Sequence, residues 1–198
     1  MIKNVIFDIG NVLLDFCWKD HIARFGFQGK KADRIAQAMM LGPIWPKLDL
    51  GLESDEDILE QFVAHTPELE QEIRLVFSDL STIVREYEGS VDWIESLKAR
   101  GYHTYYLSNY GERIRREASK ELSFLSHMDG GIMSYTVHLA KPDPAIYQTL
   151  LDRYGLKAEE CVFLDDTVRN VEAAQALGIA GIVVTSQEQA KKELETLL

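Results

Sequence analysis

Residues 5–8 read Val5-Ile6-Phe7-Asp8, an apolar, β-prone run that stops at a carboxylate and passes into Gly10-Asn11, a turn-forming pair. So short a run, apolar at every position, suits a strand buried on both faces of a parallel sheet. The same grammar recurs downstream. YHTYYL (102–107) stops at Ser108-Asn109, CVFL (161–164) stops at Asp165-Asp166, and AGIVV (180–184) closes the series. A weaker run, GIMS (131–134), lies between the second and third and is followed by Lys141. Segments with helical spacing separate these runs, which is the pattern of strand–helix crossover units and predicts an α/β fold built on a parallel sheet.

Helix punctuation supports the alternation. Ser90 is placed to cap a helix with Val91, Ile94 and Leu97 on one face, and Gly101 ends it just before YHTYYL. Pro142 and Pro144 suit the first turn of a helix running through Ile146, Leu150 and Leu151 to Gly155. Val171, Ala174 and Leu177 line another that ends at Gly178, and a last helix starts near Ser186. From about Asp15 to Gly89 no strand is expected; helical segments stand instead at 32–41, 54–65 and 67–83. This insertion leaves just after the first strand and returns before the second, so it is expected to stand over the strand ends as a lid. The chain then divides into a core of residues 1–14 and 90–198 and a helical cap of residues 15–89.

Composition narrows the function classes. Thirty-two acidic residues against twenty-one basic ones leave a formal charge of −11, which favours solubility and repels phosphate backbones, so nucleic acid is not an expected partner. Two cysteines, Cys17 and Cys161, make no disulfide framework and read as buried free thiols in a reducing compartment. No stretch approaches the roughly 18 apolar residues of a membrane span, and the first residues carry no signal-peptide pattern. A cytoplasmic protein without a membrane partner is expected.

In an open parallel sheet, ligands bind beyond the carboxyl ends of the strands. The residues found there are Asp8, Ser108, Asn109, Lys141, Asp165 and Asp166. A lone aspartate after a strand is ordinarily a turn former, but three carboxylates converging on one edge repel one another. A hard cation with oxygen ligands relieves that repulsion, and beside a phosphate this is most often Mg²⁺. One divalent ion together with Lys141 also balances the charge of a bound phosphate, with the Ser108 hydroxyl donating to it. The set matches the needs of phosphoryl transfer.

These residues stand in four ordered motifs: FDIGNVLLDF (7–16), YYLSN (105–109), AKPDPAIY (140–147) and FLDDTVRNVEAA (163–174). Across essentially the whole chain they resemble the haloacid dehalogenase-like hydrolases. The GNV variant of the first motif, with GPIWPKLDLGLESDEDILEQF (42–62), is most similar to the subgroup of bacterial phosphatases that includes an α-D-glucose-1-phosphate phosphatase. The resemblance implies a Rossmann-like three-layer core with a helical cap inserted after the first strand. It also implies a small phosphorylated metabolite, such as a sugar phosphate, as substrate. In this reading Asp8 is the nucleophile, forming an aspartyl-phosphate, and is also a ligand to Mg²⁺. Asp166 binds the metal directly, Asp165 directly or through water, and Gly10 through its backbone carbonyl. Ser108, with Asn109 beside it, binds the transferred phosphoryl group, and Lys141 stabilises charge on nucleophile and phosphate.

Gly10 departs from the family pattern, which places a second aspartate there to protonate the leaving group. Either the substrate has a leaving group that needs little acid help, or another side chain substitutes; Asp15, Asp20 and His21 are candidates because they closely follow the motif. Two other functions stand beside the phosphatase. One is a phosphate-dependent binding or regulatory module without turnover, and the other is a 2-haloacid dehalogenase, against which the acidic pair argues. Asn11 reads as a turn stabiliser, Trp45 as core before sugar platform, and Asn170 as a helix-face residue able to hold Lys141. The five histidines show no metal-ligand spacing, and Ser54–Asp57 supplies negative charge at a helix start.

Overall fold

The computed structural model describes residues 1–198. Seven strands occur in chain order: β1 (Asn4–Phe7), β2 (Leu14–Phe16), β3 (Val84–Glu86), β4 (His103–Ser108), β5 (Gly130–Met133), β6 (Cys161–Asp165) and β7 (Ala180–Val183). Between β2 and β3 run α1 (Trp18–Arg24), α2 (Gly29–Ala38), α3 (Trp45–Leu50), α4 (Asp55–His65) and α5 (Glu70–Phe77). After β3 come α6 (Ser90–Ala99), α7 (Glu112–Glu117), α8 (Pro144–Tyr154), α9 (Val168–Ala176) and α10 (Gln187–Glu195).

Five strands form one parallel sheet in the order β5-β4-β1-β6-β7. β1 is central and buried at all four positions, which is why VIF carries no polar alternation. The two-residue period of a strand then sorts its side chains. Val5 and Phe7 join one apolar cluster with Trp93, Ile94 and Leu97 of α6 and Leu194 of α10. Ile6 points the other way, into a second cluster with Ile146, Tyr147 and Leu150 of α8 and Ala174 of α9. Helices therefore cover both faces, giving the three-layer Rossmann-like α/β fold. The order also reverses at β1: the chain builds outward through β4 and β5, then crosses to β6 and β7. Ligand crevices open at such a reversal, at the carboxyl ends of the strands.

Helices α1 to α5 fill the inserted segment, and their apolar faces share the larger cluster: Ile22, Ile35, Phe62, Ile73 and Phe77 belong with Val5 and Phe7. Both thiols are buried and free. No helix is long and apolar enough to cross a membrane.

Four local expectations are corrected. The inserted segment is not free of strands, because β2 and β3 pair antiparallel at its two ends, Leu14 opposite Glu86 and Phe16 opposite Val84. Strands of three residues are too short to show a period. The helix expected over 67–83 ends at Phe77, where Ser78 Oγ turns back onto the Leu75 carbonyl at 2.7 Å and Asp79 Oδ1 takes the Ser81 amide at 2.9 Å. Ser90 is not a cap: Gly89, at φ 83°, precedes the helix, while Ser90 Oγ donates to the Leu13 carbonyl at 2.8 Å and accepts from Gln187 Nε2 at 3.0 Å. Pro142 lies outside α8, whose cap is Asp143, accepting from the Ala145 amide at 2.9 Å.

Phe62 is fully buried between Trp45 and Phe77, with ring centroids 6.2 and 5.8 Å away. Phe62→Ala is expected to cost about 3–5 kcal/mol in urea denaturation. Because the apolar cluster is continuous, fluorescence and circular dichroism should follow one transition, lowered as a whole.

Candidate active site

The central strand and its two neighbours end side by side, and that adjacency assembles the site. Asp8 extends β1, its amide donating to the Leu164 carbonyl at 2.8 Å. Ser108 ends β4 and Asp165 ends β6. Lys141 comes from the loop before α8, and its Nζ lies 2.8 Å from Asp8 Oδ1 and 2.6 Å from Asp165 Oδ2. The lysine side chain is 1% exposed and that of Asp165 0%, so this ion pair network is desolvated and intolerant of a missing partner.

Each member is held by a further group. Asn109 grips the Lys141 backbone from both sides, donating Nδ2 to its carbonyl at 2.9 Å and accepting its amide on Oδ1 at 2.7 Å. Asn170 Nδ2 lies 3.1 Å from both oxygens of Asp165, whose Oδ1 also takes the Thr167 amide at 2.7 Å. Asp165 is thereby fully engaged behind the lysine. Asp166 faces outward and accepts from Asn11 Nδ2 at 2.9 Å. Asn11 itself sits at φ 55°, a left-handed conformation that asparagine tolerates better than most residues, so it both makes the turn and reaches Asp166.

Carboxylate oxygens of Asp8, Asp165 and Asp166 lie within 4.8 Å of one another. Burial pushes the Asp8 carboxyl up to about 6; Lys141 opposes the rise, Asp165 adds to it, and the Ser108 hydroxyl also opposes it. Burial acts against the Lys141 charge, but the two carboxylates outweigh it and hold the ammonium above its ordinary value. The lysine is a fixed cation.

A cavity of about 250 Å³ opens on this cluster, floored by Asp8, Gly10, Ser108, Lys141 and Asp166. Its apolar wall comes from Leu14, Phe16, Val84, Trp45, Tyr110 and Ile114. Trp45 is thus both buried core and wall. Of the residues singled out from the sequence, Asp8, Gly10, Ser108, Asn109, Lys141 and Asp166 all line this cavity, while Asp165 stands behind it.

None of the three acids expected to replace the one missing at Gly10 reaches the cavity. Asp15 lies in β2 and accepts from the Cys17 thiol at 3.1 Å, and Asp20 is exposed and 3.3 Å from Arg85. His21 is fully buried in the inserted helices, with Nδ1 3.0 Å from Thr82 Oγ1 and Nε2 3.2 Å from the Val76 carbonyl, and burial lowers its basicity. Proximity in sequence failed because β2 carries the chain away from Asp8 at once. A third carboxyl lining the cavity beside Asp8 and Asp166 is Asp49 of α3, which with Tyr110, Thr167 and Arg169 was unanticipated. The only sequence signal for Asp49 is an acid between Leu48 and Leu50 in a short helix bracketed by Pro46 and Gly51.

The chain belongs to the haloacid dehalogenase-like hydrolase family, whose profile matches residues 2–178. Acyl-CoA dehydrogenase family member 10 of Mus musculus is 32% identical over 162 residues, 79% of this chain and only 15% of that protein. The sesquiterpene phosphatase astK of Aspergillus oryzae is 25% identical over 201 residues, covering 99% of this chain and 96% of that one. The HAD family enzyme BT-2542 of Bacteroides thetaiotaomicron, crystallised with magnesium and inorganic phosphate, shares the fold at a TM-score of 0.72, with 22% identity over 94% of this chain and 96% of that one.

Since Asp8 titrates at about 6 instead of its ordinary 3.8, its burial opposes folding once it ionises. In metal-free protein its contribution to stability is therefore full below pH 3.8 and lost as pH rises through about 6. Lys141→Met should move the Asp8 carboxyl resonance in a ¹³C NMR titration to a higher midpoint still. An unchanged midpoint would show that the lysine does not set the charge of this residue.

Proposed function

We propose that the chain is a Mg²⁺-dependent phosphatase, hydrolysing a small phosphorylated metabolite through an aspartyl-phosphate on Asp8. The observation that carries this reading is the placement of Lys141 Nζ 2.8 Å from Asp8 Oδ1 within a group of three carboxylates that one lysine cannot neutralise. Their donors are all hard oxygens, with no histidine or thiol among them, which fits Mg²⁺ better than a softer metal. Asp8, Asp166 and the Gly10 carbonyl would hold the ion, with Asp165 behind them. When bound, the ion supplies positive charge against the phosphoryl oxygens and the carboxylates.

The residues of the chain account for the rest. Lys141 keeps Asp8 ionised in an apolar surround and stands where charge develops on the transferring group. Asp165, Asn170 and Asn109 fix the lysine, so its ammonium needs no reorganisation during reaction. Ser108, at the end of β4, offers its hydroxyl to a phosphoryl oxygen. The helical segment 15–89 acts as a cap, excluding water and presenting Trp45, with Phe16 and Val84 of the β2–β3 neck, to the leaving group. The Aspergillus relative, named a phosphatase and matched over nearly its whole length, supports the same reaction class.

Steady phosphate release from small phosphomonoesters is expected with Mg²⁺ and should stop on chelation. Asp8→Asn should reduce it to background, and Lys141→Ala by about 10²–10³-fold, the usual cost of removing a stabiliser of developing charge. Release that persists at full rate in Asp8→Asn, or in excess chelator, would overturn the reading.

A further inference from the structure

A phosphomonoester of an ordinary alcohol must have its departing oxygen protonated, and Gly10 carries no group to do this. A Cβ built at Gly10 meets nothing within 4 Å, so the space on that side of Asp8 is open and no neighbouring side chain fills it. The acid must line the cavity. Asp8 is engaged by Lys141 and Ile9, and Asp166 by Asn11. Lys141 is locked as a cation, Arg169 is permanently charged, and burial raises the Tyr110 phenol well above its ordinary value. No histidine lines the cavity. One titratable group is left.

We infer that Asp49, reaching down from α3, is the general acid and base of this site. The assignment rests on the phosphatase reading above and makes phosphate esters of poor leaving groups, alkyl alcohols included, substrates of the enzyme.

The helix carrying Asp49 is docked to the catalytic layer at four points. The Ser134 hydroxyl donates to the Asp49 carbonyl itself, and His138 Nδ1 donates to that of Leu50 at 2.8 Å. Gly111 packs on Leu48, where a Cβ would stand 3.3 Å from the Leu48 carbonyl oxygen. Gly51, left-handed at φ 61°, packs on Tyr135, where a Cβ would come within 2.9 Å of the tyrosine Cβ. The carboxyl is thus fixed over the site by the core, although it belongs to the inserted segment. It makes no side-chain hydrogen bond or ion pair of its own, so nothing competes for its proton. Burial, reinforced by the charge of Asp8 and opposed by Lys141, raises it to about 7, so both its protonated and its ionised form are accessible near neutral pH. Tyr110 and Arg169 across the cavity, and α4, α7 and the 134–136 turn packed on α3, add no charge that shifts it.

The chemistry closes on these atoms. An Asp8 carboxylate oxygen attacks phosphorus, the bond from phosphorus to the ester oxygen breaks, and its electron pair takes the Asp49 proton, releasing a neutral alcohol. Asp49, now a carboxylate, takes a proton from a water whose oxygen attacks the aspartyl-phosphate. The bond from phosphorus to Asp8 breaks, giving inorganic phosphate, ionised Asp8 and protonated Asp49.

The test is the leaving-group dependence of Asp49→Asn, measured with Mg²⁺ on p-nitrophenyl phosphate and on an alkyl phosphate such as 2-phenylethyl phosphate. The single-turnover rate of phosphoryl transfer should fall about 10²–10⁴-fold on the alkyl ester and little on the aryl ester. The alkaline limb of the alkyl-ester pH profile should vanish, a loss that altered packing would not produce. Gly10→Asp on the Asp49→Asn background should restore alkyl-ester hydrolysis, which separates a lost proton donor from a damaged fold. Equal losses on both esters, or equal retention, would overturn the assignment and leave the phosphatase reading standing. A wild-type enzyme inert on both esters would remove that reading and this one together.

Discussion

Three carboxylates and one ammonium are packed at the meeting point of β1, β4 and β6, and the surrounding structure answers the cost of keeping them there. Lys141 bridges Asp8 and Asp165 at 2.8 and 2.6 Å with almost no contact with water. Leaving such a charge unpaired in the interior costs several kcal/mol. Asn170 and the Thr167 amide donate to Asp165, the lysine's partner, while Asn109 holds the Lys141 backbone. One positive charge against three negative ones also leaves a surplus, and that surplus favours a divalent cation at the site.

The sheet supplies the precision. Strands β4 and β6 flank β1 on either side, so residues about a hundred positions apart in the chain end within hydrogen-bond reach. Ser108 and Asp165 are set beside Asp8 by the backbone ladders, and Lys141, from the loop before α8, is held by Asn109. The inserted helices share the apolar cluster of the core, and α3 is stitched to the 134–138 segment by backbone-directed bonds. A segment held in this way can present a side chain to the cavity with a fixed geometry.

Gly10 gives the site its individuality. Where the family pattern puts a proton donor after the first strand, this chain has open space, and the one cavity-lining carboxyl without a side-chain partner belongs to the inserted segment. With Asp49 as the proposed donor and Asp8 as the proposed nucleophile, the two come from different layers of the molecule, and Asp49 and Trp45, both on α3, share one wall of the cavity.

Much of this was legible in the order of residues along the chain. Apolar runs ending at Asp8, Ser108 and Asp165-Asp166 report a parallel sheet and its reactive edge, because burial on both faces removes polar residues until the strand emerges. Charge repulsion among the carboxylates was equally readable. Which acid faces the cavity was not: Asp15, Asp20 and His21 lie near Asp8 in sequence, yet the three-residue pairing of β2 with β3 and the packing of α1 carry them away. Asp49 arrives only when α3 docks on Gly111, Ser134 and Tyr135, contacts between segments 60 to 90 residues apart with no local periodicity. Strand character is a local balance of burial and side-chain shape and so is written locally, whereas the position of a roof helix is decided by surfaces that exist only after the chain has folded.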